Sequence, residues 1–317
     1  MASAKKFRLG LIGARGYVGS ELIALVAKHP QLELAFVSSR ERVSQLLADF
    51  ETGAPEGLRY CNYTPQQALL NPVDVLVLAL PNNLAATWVR AFDDAGSQTL
   101  LVDLSADYRF DNSWFYGLPE LTRNLYQGQR RISNPGCYAT AMQLAIKPML
   151  PYIEGAVQCF GVSGYSGAGT LQSDKNNPEK LQDNLMPYSL VGHIHEREVS
   201  AQMACDVQFM PHVASHFRGI SITVNMPLSQ SFDIEQINRV YQEYYAGEPL
   251  LEICGSTPWL SVVAGTPMAR LGGMSLAENG KRLVLVSVLD NLLKGAASQA
   301  MQNINLGLQF PETLGIL

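Results

Sequence analysis

Several features are missing from this chain of 317 residues, and each absence excludes a class of protein. No apolar run is long enough to span a bilayer, and the first residues lack the apolar core of a secretory signal, so we predict no membrane anchor and no membrane partner. The 23 Lys and Arg residues face 28 Asp and Glu residues, and this balance lacks the basic surplus of a nucleic-acid binder. The chain also has no internal repeat and no low-complexity tract. A globular protein with a small-molecule partner remains.

Cysteine is scarce, and its spacing excludes two kinds of site. The five cysteines are odd in number, scattered, and never form a Cys-x-x-Cys pair. This usage predicts free thiols in a reducing cytoplasm, no metal site and no disulfide framework. The five residues are Cys61, Cys137, Cys159, Cys205 and Cys254.

The first part of the chain alternates short apolar strands with helical stretches. Strands are predicted at residues 7–12, 32–37, 73–80 and 99–104, with a helix over residues 21–28. A nearly continuous apolar run such as residues 73–80 is typical of a parallel strand covered on both faces. The pattern predicts an α/β domain with a Rossmann-type, doubly wound parallel sheet.

The pattern changes near Cys137, where longer alternating strands begin. These strands are predicted at residues 157–163, 220–226 and 282–289, and a helix follows over residues 298–306. Alternation of apolar and polar residues is typical of an antiparallel sheet with one covered face. We therefore predict a second, α+β domain with a mainly antiparallel sheet, and we expect the last helix to return to the first domain. A chain of this length can bury both cores.

The first strand ends in a glycine-rich turn that leads into a helix. Gly13, Gly16 and Gly19 are spaced three residues apart in this turn. Glycines there allow the backbone to approach a pyrophosphate, which then lies at the helix N-terminus. A tight turn without a ligand is the alternative, but the position at the first strand–helix turn favours a dinucleotide.

The end of the second strand indicates which dinucleotide is bound. An NAD site usually carries an acidic residue there, for the ribose hydroxyls. This chain has Ser38, Ser39 and Arg40 instead, while Glu33 comes too early and Glu41 comes past the strand end. Hydroxyls and a guanidinium suit a 2′-phosphate, so we favour NADP over NAD. A solvated loop arginine is the alternative.

Cys137 follows the turn Asn134-Pro135-Gly136 and precedes an apolar pattern typical of a helix. At a helix N-terminus the unpaired N–H groups and the dipole favour an anion, so a thiol there ionises more easily. This position predicts a nucleophile. A buried structural cysteine is the alternative.

Two histidines, His193 and His195, are separated by one residue and would point the same way in an extended segment. No Cys or His is spaced nearby to complete a metal site. One imidazole beside the Cys137 thiolate would suffice for acid–base catalysis. Exposed histidines without a role are the alternative. Arg109 and Arg218 are candidate anion-binding residues, although each could equally be structural.

Eight segments of the chain form an ordered set of motifs: residues 13–19, 103–109, 116–121, 134–141, 161–169, 193–199, 217–220 and 290–297. Together they resemble N-acetyl-γ-glutamyl-phosphate reductase of arginine biosynthesis, over nearly the whole chain. The histidine motif departs from the usual bacterial form at Ile194 and Arg197, and it looks more like the version in fungal proteins.

The resemblance implies reduction of an acyl phosphate by NADPH through a thioester on Cys137, with His193 or His195 as the acid–base. It implies an NADP-binding domain of residues 1–136 and 291–317, and a catalytic and oligomerisation domain of residues 137–290. A dimer or tetramer and an association with the upstream acetylglutamate kinase are further expectations. The residues expected to hold NADPH are Gly13, Ala14, Arg15, Gly16, Tyr17, Val18, Gly19, Ser38, Ser39, Arg40, Ser166, Gly167, Ala168, Gly169 and Asn291. Those expected to bind substrate are Arg109, Asn134 and Arg218.

Other functions are compatible with some of these residues. The same chemistry could act on aspartyl phosphate, on a carrier-linked aminoadipyl phosphate, or on an N-succinyl in place of an N-acetyl substrate. A non-catalytic NADP sensor and a subunit that mainly binds a partner are alternatives from other classes. The intact cysteine and histidines argue against the sensor.

Overall fold

The computed structural model describes residues 5–317, which divide into two compact units. The first unit ends at Pro135 and resumes at Ala296, and the second runs from Gly136 to Gly295. The change of unit therefore falls inside the turn that precedes Cys137. The roles predicted for the two domains stay predictions at this point.

The first unit contains a sheet of seven strands in which every pairing is parallel. The strands are β1 (Phe7–Ile12), β2 (Leu32–Ser38), β3 (Tyr60–Cys61), β4 (Val75–Leu78), β5 (Leu100–Asp103), β6 (Phe115–Tyr116) and β7 (Arg131–Ser133). Their order in space is β3-β2-β1-β4-β5-β7-β6. The direction of winding reverses between β1 and β4, which is the switch point where ligands bind in open α/β sheets. The predicted Rossmann-type sheet is confirmed.

The second unit also contains a seven-stranded sheet, but a mixed one. The strands are β8 (Val157–Gly164), β9 (Leu185–Pro187), β10 (Val207–Ala214), β11 (Ile220–Pro227), β12 (Leu251–Ile253), β13 (Ala269–Leu276) and β14 (Arg282–Leu289). The order is β12-β13-β14-β11-β8-β10-β9. Two pairings, β8 with β10 and β12 with β13, are parallel, and the others are antiparallel. The predicted second α+β domain with a mainly antiparallel sheet is confirmed.

Nine α-helices occur among residues 5–317. They are α1 (Tyr17–Lys28), α2 (Pro65–Leu69), α3 (Ala86–Asp94), α4 (Pro119–Thr122), α5 (Cys137–Ile146), α6 (Pro178–Leu181), α7 (Ile194–Met203), α8 (Ile234–Tyr244) and α9 (Ser298–Gly307). In the first unit, Phe36 and Leu76 of the sheet belong to one apolar core with Trp88 and Phe92 of α3. Helix α9 lies in the first unit, although it comes last in the chain.

Two elements differ by more than one residue from the boundaries that the sequence predicts. Helix α1 begins at Tyr17 and not at residue 21, so the third glycine of the turn lies inside the helix. A Cβ on Gly19 would stand 2.5 Å from the carbonyl oxygen of Ala14, so this glycine allows the helix to pack on the preceding loop. Strand β4 is shorter than the apolar run of residues 73–80, since its neighbour β1 already ends at Ile12.

Gly13 is the glycine in the turn whose replacement we expect to harm folding most. Its φ is +83°, and a Cβ there would stand 2.1 Å from the carbonyl oxygen of Ala79. We expect Gly13→Ala to lower the free energy of unfolding by about 2 kcal/mol or more, because left-handed backbone and a backbone overlap both oppose the methyl group.

Urea unfolding measures this loss, and Gly16→Ala is the matched control. A Cβ on Gly16 finds no atom closer than 3.7 Å, and its φ of −69° suits any residue. We expect a loss below about 1 kcal/mol for the control. Equal losses in both variants would contradict the steric argument.

Candidate active site

Cys137 is the first residue of α5, and Gly136 is the N-cap. The nine residues that follow it in the helix are all buried, whereas the Cys137 side chain is half-buried. Gly136 has no side chain that could bond the first N–H groups of α5, and the first turn holds no acidic residue. The thiol therefore stands at a helix N-terminus whose N-cap residue has no capping side chain, and it is accessible to a ligand, as the turn before it predicts.

A buried glutamate holds the start of α5 in place. The backbone N–H of Gly136 donates to Oε1 of Glu198 at 2.9 Å, and the Glu198 side chain is fully buried. Glu198 lies on α7, three residues after His195. Residues three apart on a helix share a face, so the face of α7 that carries His195 is the one directed at the start of α5.

The segment that carries the two histidines is not extended. Helix α7 begins at Ile194, and His193 is its N-cap. The Nδ1 atom of His193 accepts a hydrogen bond from the backbone N–H of His195 at 3.1 Å. The two rings still lie together, 4.9 Å apart between centroids. They are therefore neighbours because of a helix turn and not because of strand alternation.

The two histidines have different environments. Burial, and after it the positive charge of Lys175, lowers the pKa of His193 to about 4. His193 is therefore neutral at pH 7, and its Nδ1 is occupied as an acceptor, so its hydrogen is on Nε2. In this state His193 can donate a hydrogen bond from Nε2 but cannot take up a proton there.

Aromatic side chains surround the histidines. The Tyr138 ring lies 6.0 Å from the His195 ring and 6.3 Å from the His193 ring, and its hydroxyl donates to the carbonyl oxygen of His212 at 2.8 Å. The Tyr188 ring lies 5.6 Å from that of His193. Because Tyr138 directly follows Cys137, this aromatic cluster places both imidazoles in the surroundings of the thiol.

A π-helical turn, Leu293–Ala297, approaches the cysteine from the other side. A Cβ on Gly295 would stand only 2.7 Å from the Cβ of Cys137, so only glycine fits there. The turn is held by buried Asp290, whose Oδ1 accepts from the N–H groups of Leu292 and Leu293. Turns of this kind occur often at functional sites.

Arg218 is committed to Asp290 in this structure. Its Nε and one terminal nitrogen contact the two carboxylate oxygens at 2.5 and 3.1 Å, which is a bidentate pair. This contact neutralises the buried acid that holds the π-helical turn. The substrate-binding role of Arg218 stays a prediction.

Hydrogen bonds connect Asn291 with the small residues that follow β8. The Asn291 side chain donates to Oγ of Ser166 at 2.9 Å and accepts from the backbone N–H of Gly219 at 2.6 Å. Ser166 and Asn291 are both buried, and Gly169 has a φ of +76°. The structure thus brings together two of the segments predicted to bind the cofactor, Asn291 and residues 166–169.

The first unit carries the other candidate cofactor residues at its switch point. Gly16 is the N-cap of α1, which has no side-chain cap and no acidic residue in its first turn. Ser38 and Ser39 are buried at the end of β2, and Arg40 after them is exposed. Within residues 5–317 the Arg40 guanidinium has no carboxylate partner. An uncapped helix start, two hydroxyls and an unpaired cation fit a dinucleotide with a 2′-phosphate.

Arg15 of the glycine turn pairs with an acid that follows β2. Its guanidinium contacts Oε1 of Glu41 at 2.9 Å, and both side chains are partly exposed. The pair offsets the negative charge that Glu41 brings close to Arg40. The chain therefore keeps a net positive charge where the 2′-phosphate is expected.

Arg109 and Asn134 belong to the first unit and both bond to backbone. The Arg109 guanidinium donates to the carbonyl oxygens of Asn134 and Leu104, each at 2.9 Å. The Asn134 side chain accepts from Asn303 at 2.8 Å. These contacts shape the strand ends at β5 and β7. Binding of substrate by either residue stays a prediction.

The four other thiols have raised pKa values. Burial raises the pKa of Cys61, Cys159, Cys205 and Cys254, and Cys159 is fully buried. All five cysteines are free thiols. A higher pKa leaves less thiolate at neutral pH, so these four are poorer nucleophiles.

Comparison with known proteins identifies the relatives of this chain. A reductase from Stenotrophomonas maltophilia, named N-acetyl-γ-glutamyl-phosphate reductase, is 60% identical over 310 residues, which cover 98% of each chain. Proteins of the same name from Xanthomonas axonopodis pv. citri and Xylella fastidiosa are 59% and 52% identical, and they cover 97% and 99% of this chain and 98% and 96% of their own.

The chain belongs to the N-acetyl-γ-glutamyl-phosphate reductase family. Residues 8–129 match the semialdehyde dehydrogenase NAD binding domain, and residues 137–291 match the semialdehyde dehydrogenase dimerisation domain. The three relatives are bacterial, and the likeness of the histidine motif to fungal versions stays a prediction.

Solved structures show how far the fold of this family extends. Aspartate semialdehyde dehydrogenase II from Vibrio cholerae superposes with a TM-score of 0.77 at 18% identity, covering 96% of this chain and 99% of the other. The enzyme from Candida albicans, solved with NADP, gives a TM-score of 0.74 at 16% identity, covering 96% and 99%. At such identities the likeness shows the fold alone.

The sequence does not predict a role for several residues of this reductase site. Glu198, Tyr138 and Gly295 lie inside motifs that carry the family resemblance, but neither their type nor their spacing assigns them a function. Glu198 contacts Gly136, Tyr138 contacts the histidines, and Gly295 contacts Cys137. Each of these contacts joins segments that are distant in the chain. Only the spacing of His195 and Glu198 could have indicated that the two share a helix face. Nothing in the sequence separated Lys175 from other surface lysines.

Among residues 5–317, no helix combines the length and the apolar character that crossing a bilayer requires.

Proposed function

We propose that this chain reduces N-acetyl-γ-glutamyl phosphate to N-acetylglutamate 5-semialdehyde and phosphate with NADPH, in arginine biosynthesis in the cytoplasm. One observation carries the chemistry. Cys137 is the half-buried first residue of an otherwise buried helix, and the ring of the next residue, Tyr138, lies 6.3 Å and 6.0 Å from the two imidazole rings. The high identity to reductases of that name carries the substrate.

The reaction begins with proton transfer from the Cys137 thiol to His195. The thiolate attacks the acyl carbon, the bond from carbon to the phosphate oxygen breaks, and a thioester forms. The N-terminus of α5 stabilises the negative charge that develops on the acyl oxygen, since the N-cap residue, Gly136, has no side chain that could bond its first N–H groups. NADPH supplies the hydride when bound. By then His195 has passed the thiol proton to the departing phosphate, which leaves as hydrogen phosphate. A proton taken up from water completes the thiohemiacetal on Cys137. Its hydroxyl proton then passes through His195 to the sulfur as the aldehyde leaves.

His195 is the acid–base and His193 the hydrogen-bond donor in this proposal. The N–H of His195 orients His193 through Nδ1, and the lowered pKa of His193 keeps it neutral. A group with a pKa of about 4 is a poor base at neutral pH. His195, on the helix face of Glu198, is better placed for proton exchange with the thiol.

Arg40 is the residue to which we assign recognition of the 2′-phosphate of NADP. We expect Arg40→Gln to raise KM for NADP about tenfold or more, because a charge-assisted contact to phosphate is lost. KM for NAD should change by less than about twofold, since NAD lacks that phosphate. Steady-state kinetics with both cofactors measures the ratio. An equal rise in KM for NADP and for NAD would show that Arg40 stabilises the loop and does not bind the 2′-phosphate.

A homo-oligomer formed through the second unit is also part of the proposal. Helices α5 and α8 contact β11, β13 and β14, while the alternate residues of the strands face the other way. On that opposite face Phe160 is 41% exposed. The match of residues 137–291 to a dimerisation domain supports this surface. Sedimentation equilibrium gives the mass of the assembly, and the mass of a single chain would contradict the proposal.

Association with the upstream kinase is a further proposal, which co-sedimentation of the two proteins tests.

The test of the activity is phosphate-dependent reduction of NADP by the purified protein in the reverse direction. N-acetylglutamate 5-semialdehyde, its N-succinyl analogue and aspartate semialdehyde are compared. We expect turnover on the acetylated aldehyde. Turnover on aspartate semialdehyde alone would keep the chemistry and overturn the substrate. Binding of NADP without turnover on any aldehyde would favour the sensor.

A further inference from the structure

A lysine that has no role so far lies beside the histidine cluster. The Nζ atom of Lys175 stands 4.7 Å from the centre of the Tyr188 ring, and the side chain is half-buried. Across residues 5–317 no carboxylate pairs with this ammonium group. Lys180, five residues later, is more exposed, and its ammonium contacts Oδ1 of Asp174 at 2.6 Å. The segment thus keeps one cation unpaired.

Tyr188 connects this cation with the reacting centre. Its ring lies 5.6 Å from that of His193, which in turn lies 6.3 Å from the ring of Tyr138, the residue after Cys137. Burial, and then the negative charge of the Cys137 thiolate, raises the pKa of Tyr188. The cation on one side of the Tyr188 ring and the nucleophile are therefore close enough for their charges to act on the same few groups.

His193 adds a second donor to the same place. Because its Nδ1 accepts from the N–H of His195, the neutral ring carries its hydrogen on Nε2. The positive charge of Lys175 contributes, after burial, to keeping that ring neutral. An ammonium group without a carboxylate partner among residues 5–317 and an imidazole N–H thus lie around the Tyr188 ring, and both are hydrogen-bond donors. Such a set of donors suits a group of high negative charge.

We propose that Lys175 binds the phosphate group of the acyl phosphate and stabilises it as it leaves. The inference rests on the proposed function. The Cys137 sulfur bonds to the acyl carbon, and the electron pair of the broken carbon–oxygen bond stays with the phosphate. That oxygen takes the proton which His195 removed from the thiol, so a thioester and hydrogen phosphate result. In the reverse direction the same site receives inorganic phosphate.

A carboxylate of the substrate is the other anion that an ammonium could bind. The phosphate is favoured because it carries about two negative charges near neutral pH. It is also bonded to the carbon that Cys137 attacks, so it must lie beside the nucleophile. Both points make the phosphate the anion that meets Lys175 and His193 together.

The test varies inorganic phosphate in the reverse reaction with Lys175→Gln, Lys175→Arg and the control Lys180→Gln. We expect Lys175→Gln to raise KM for phosphate about tenfold or more, since a charge-assisted contact is lost. KM for the semialdehyde and for NADP should stay within about twofold of the unaltered values. Lys175→Arg should recover most of the phosphate affinity, and Lys180→Gln should leave every constant unchanged.

A second measurement does not need turnover. Inorganic phosphate should protect Cys137 from alkylation by iodoacetamide, and the half-protecting concentration should rise about tenfold in Lys175→Gln. An unchanged phosphate KM in an active variant would overturn the proposal. A rise in KM for the semialdehyde, with KM for phosphate unchanged, would show that Lys175 binds the carboxylate of the substrate. If the unaltered protein reduces no NADP, the proposed function fails, while the protection experiment still decides the role of Lys175.

Discussion

Cys137→Ser should lower kcat by about 10³-fold or more, which is the largest effect expected for this chain. The serine hydroxyl is nearly isosteric, so α5 and its contact with Glu198 should persist. What is lost is the thiolate, because a hydroxyl at a helix N-terminus stays protonated at neutral pH. Phosphate-dependent reduction of NADP measures kcat. Mass spectrometry after rapid mixing with the semialdehyde, NADP and no phosphate should show an acyl adduct only on the unaltered protein.

Cys205→Ser is the matched control for this experiment. Cys205 is also half-buried, but burial and the neighbouring negative charge of Asp206 raise its pKa. We expect kcat to change by less than about twofold. Near-normal turnover of Cys137→Ser would overturn the covalent mechanism, and so would an adduct mapped to another cysteine.

His195→Gln should lower kcat by about 10²–10⁴-fold, the usual contribution of a positioned acid–base group. The variant keeps the backbone N–H of residue 195, which donates to Nδ1 of His193, so the start of α7 should remain intact. A glutamine cannot take the proton from the thiol, pass it to the phosphate or deliver one to the sulfur. Steady-state kinetics gives kcat, and alkylation of Cys137 as a function of pH reports the loss of the base independently.

His193→Asn is the comparison, because asparagine is also a good N-cap. It should spare most of kcat and mainly raise KM for phosphate, since an imidazole N–H beside Lys175 is lost. Greater loss of kcat in His193→Asn than in His195→Gln would exchange the two assignments. The contrast separates proton transfer from phosphate binding within one pair of neighbouring histidines.

Much of the fold follows from local patterns in the chain. The apolar strands before residue 104 predicted the parallel sheet, and β1 and β14 coincide with the predicted ranges. Helix α1 began earlier than expected because Gly19 reads as a loop residue, whereas here it packs against Ala14 inside the helix. Close packing of one backbone on another is a tertiary property, so glycine content alone could not place this boundary.

The candidate site also has features that the local sequence predicts and features that it does not. The turn before Cys137 was sufficient to predict a thiol at a helix N-terminus, because Asn134, Pro135 and Gly136 act within a few residues of it. The arrangement of the histidines was not predictable, since residues 193–195 carry no signal that separates a strand from a helix start. Their proximity persisted for a different reason, the hydrogen bond from His195 to Nδ1 of His193.

The sequence by itself determined the chemistry that this chain carries: one cysteine after a turn, two histidines, and a glycine turn with serines and an arginine after the second strand. Such signals depend on residue type and on spacing over a few positions. Only the tertiary structure decided which groups meet. Glu198 reaches Gly136, Gly295 contacts Cys137, and Lys175 stands over Tyr188 without a carboxylate partner among residues 5–317. These contacts join segments distant in the chain, so packing of buried side chains sets them and local pattern does not.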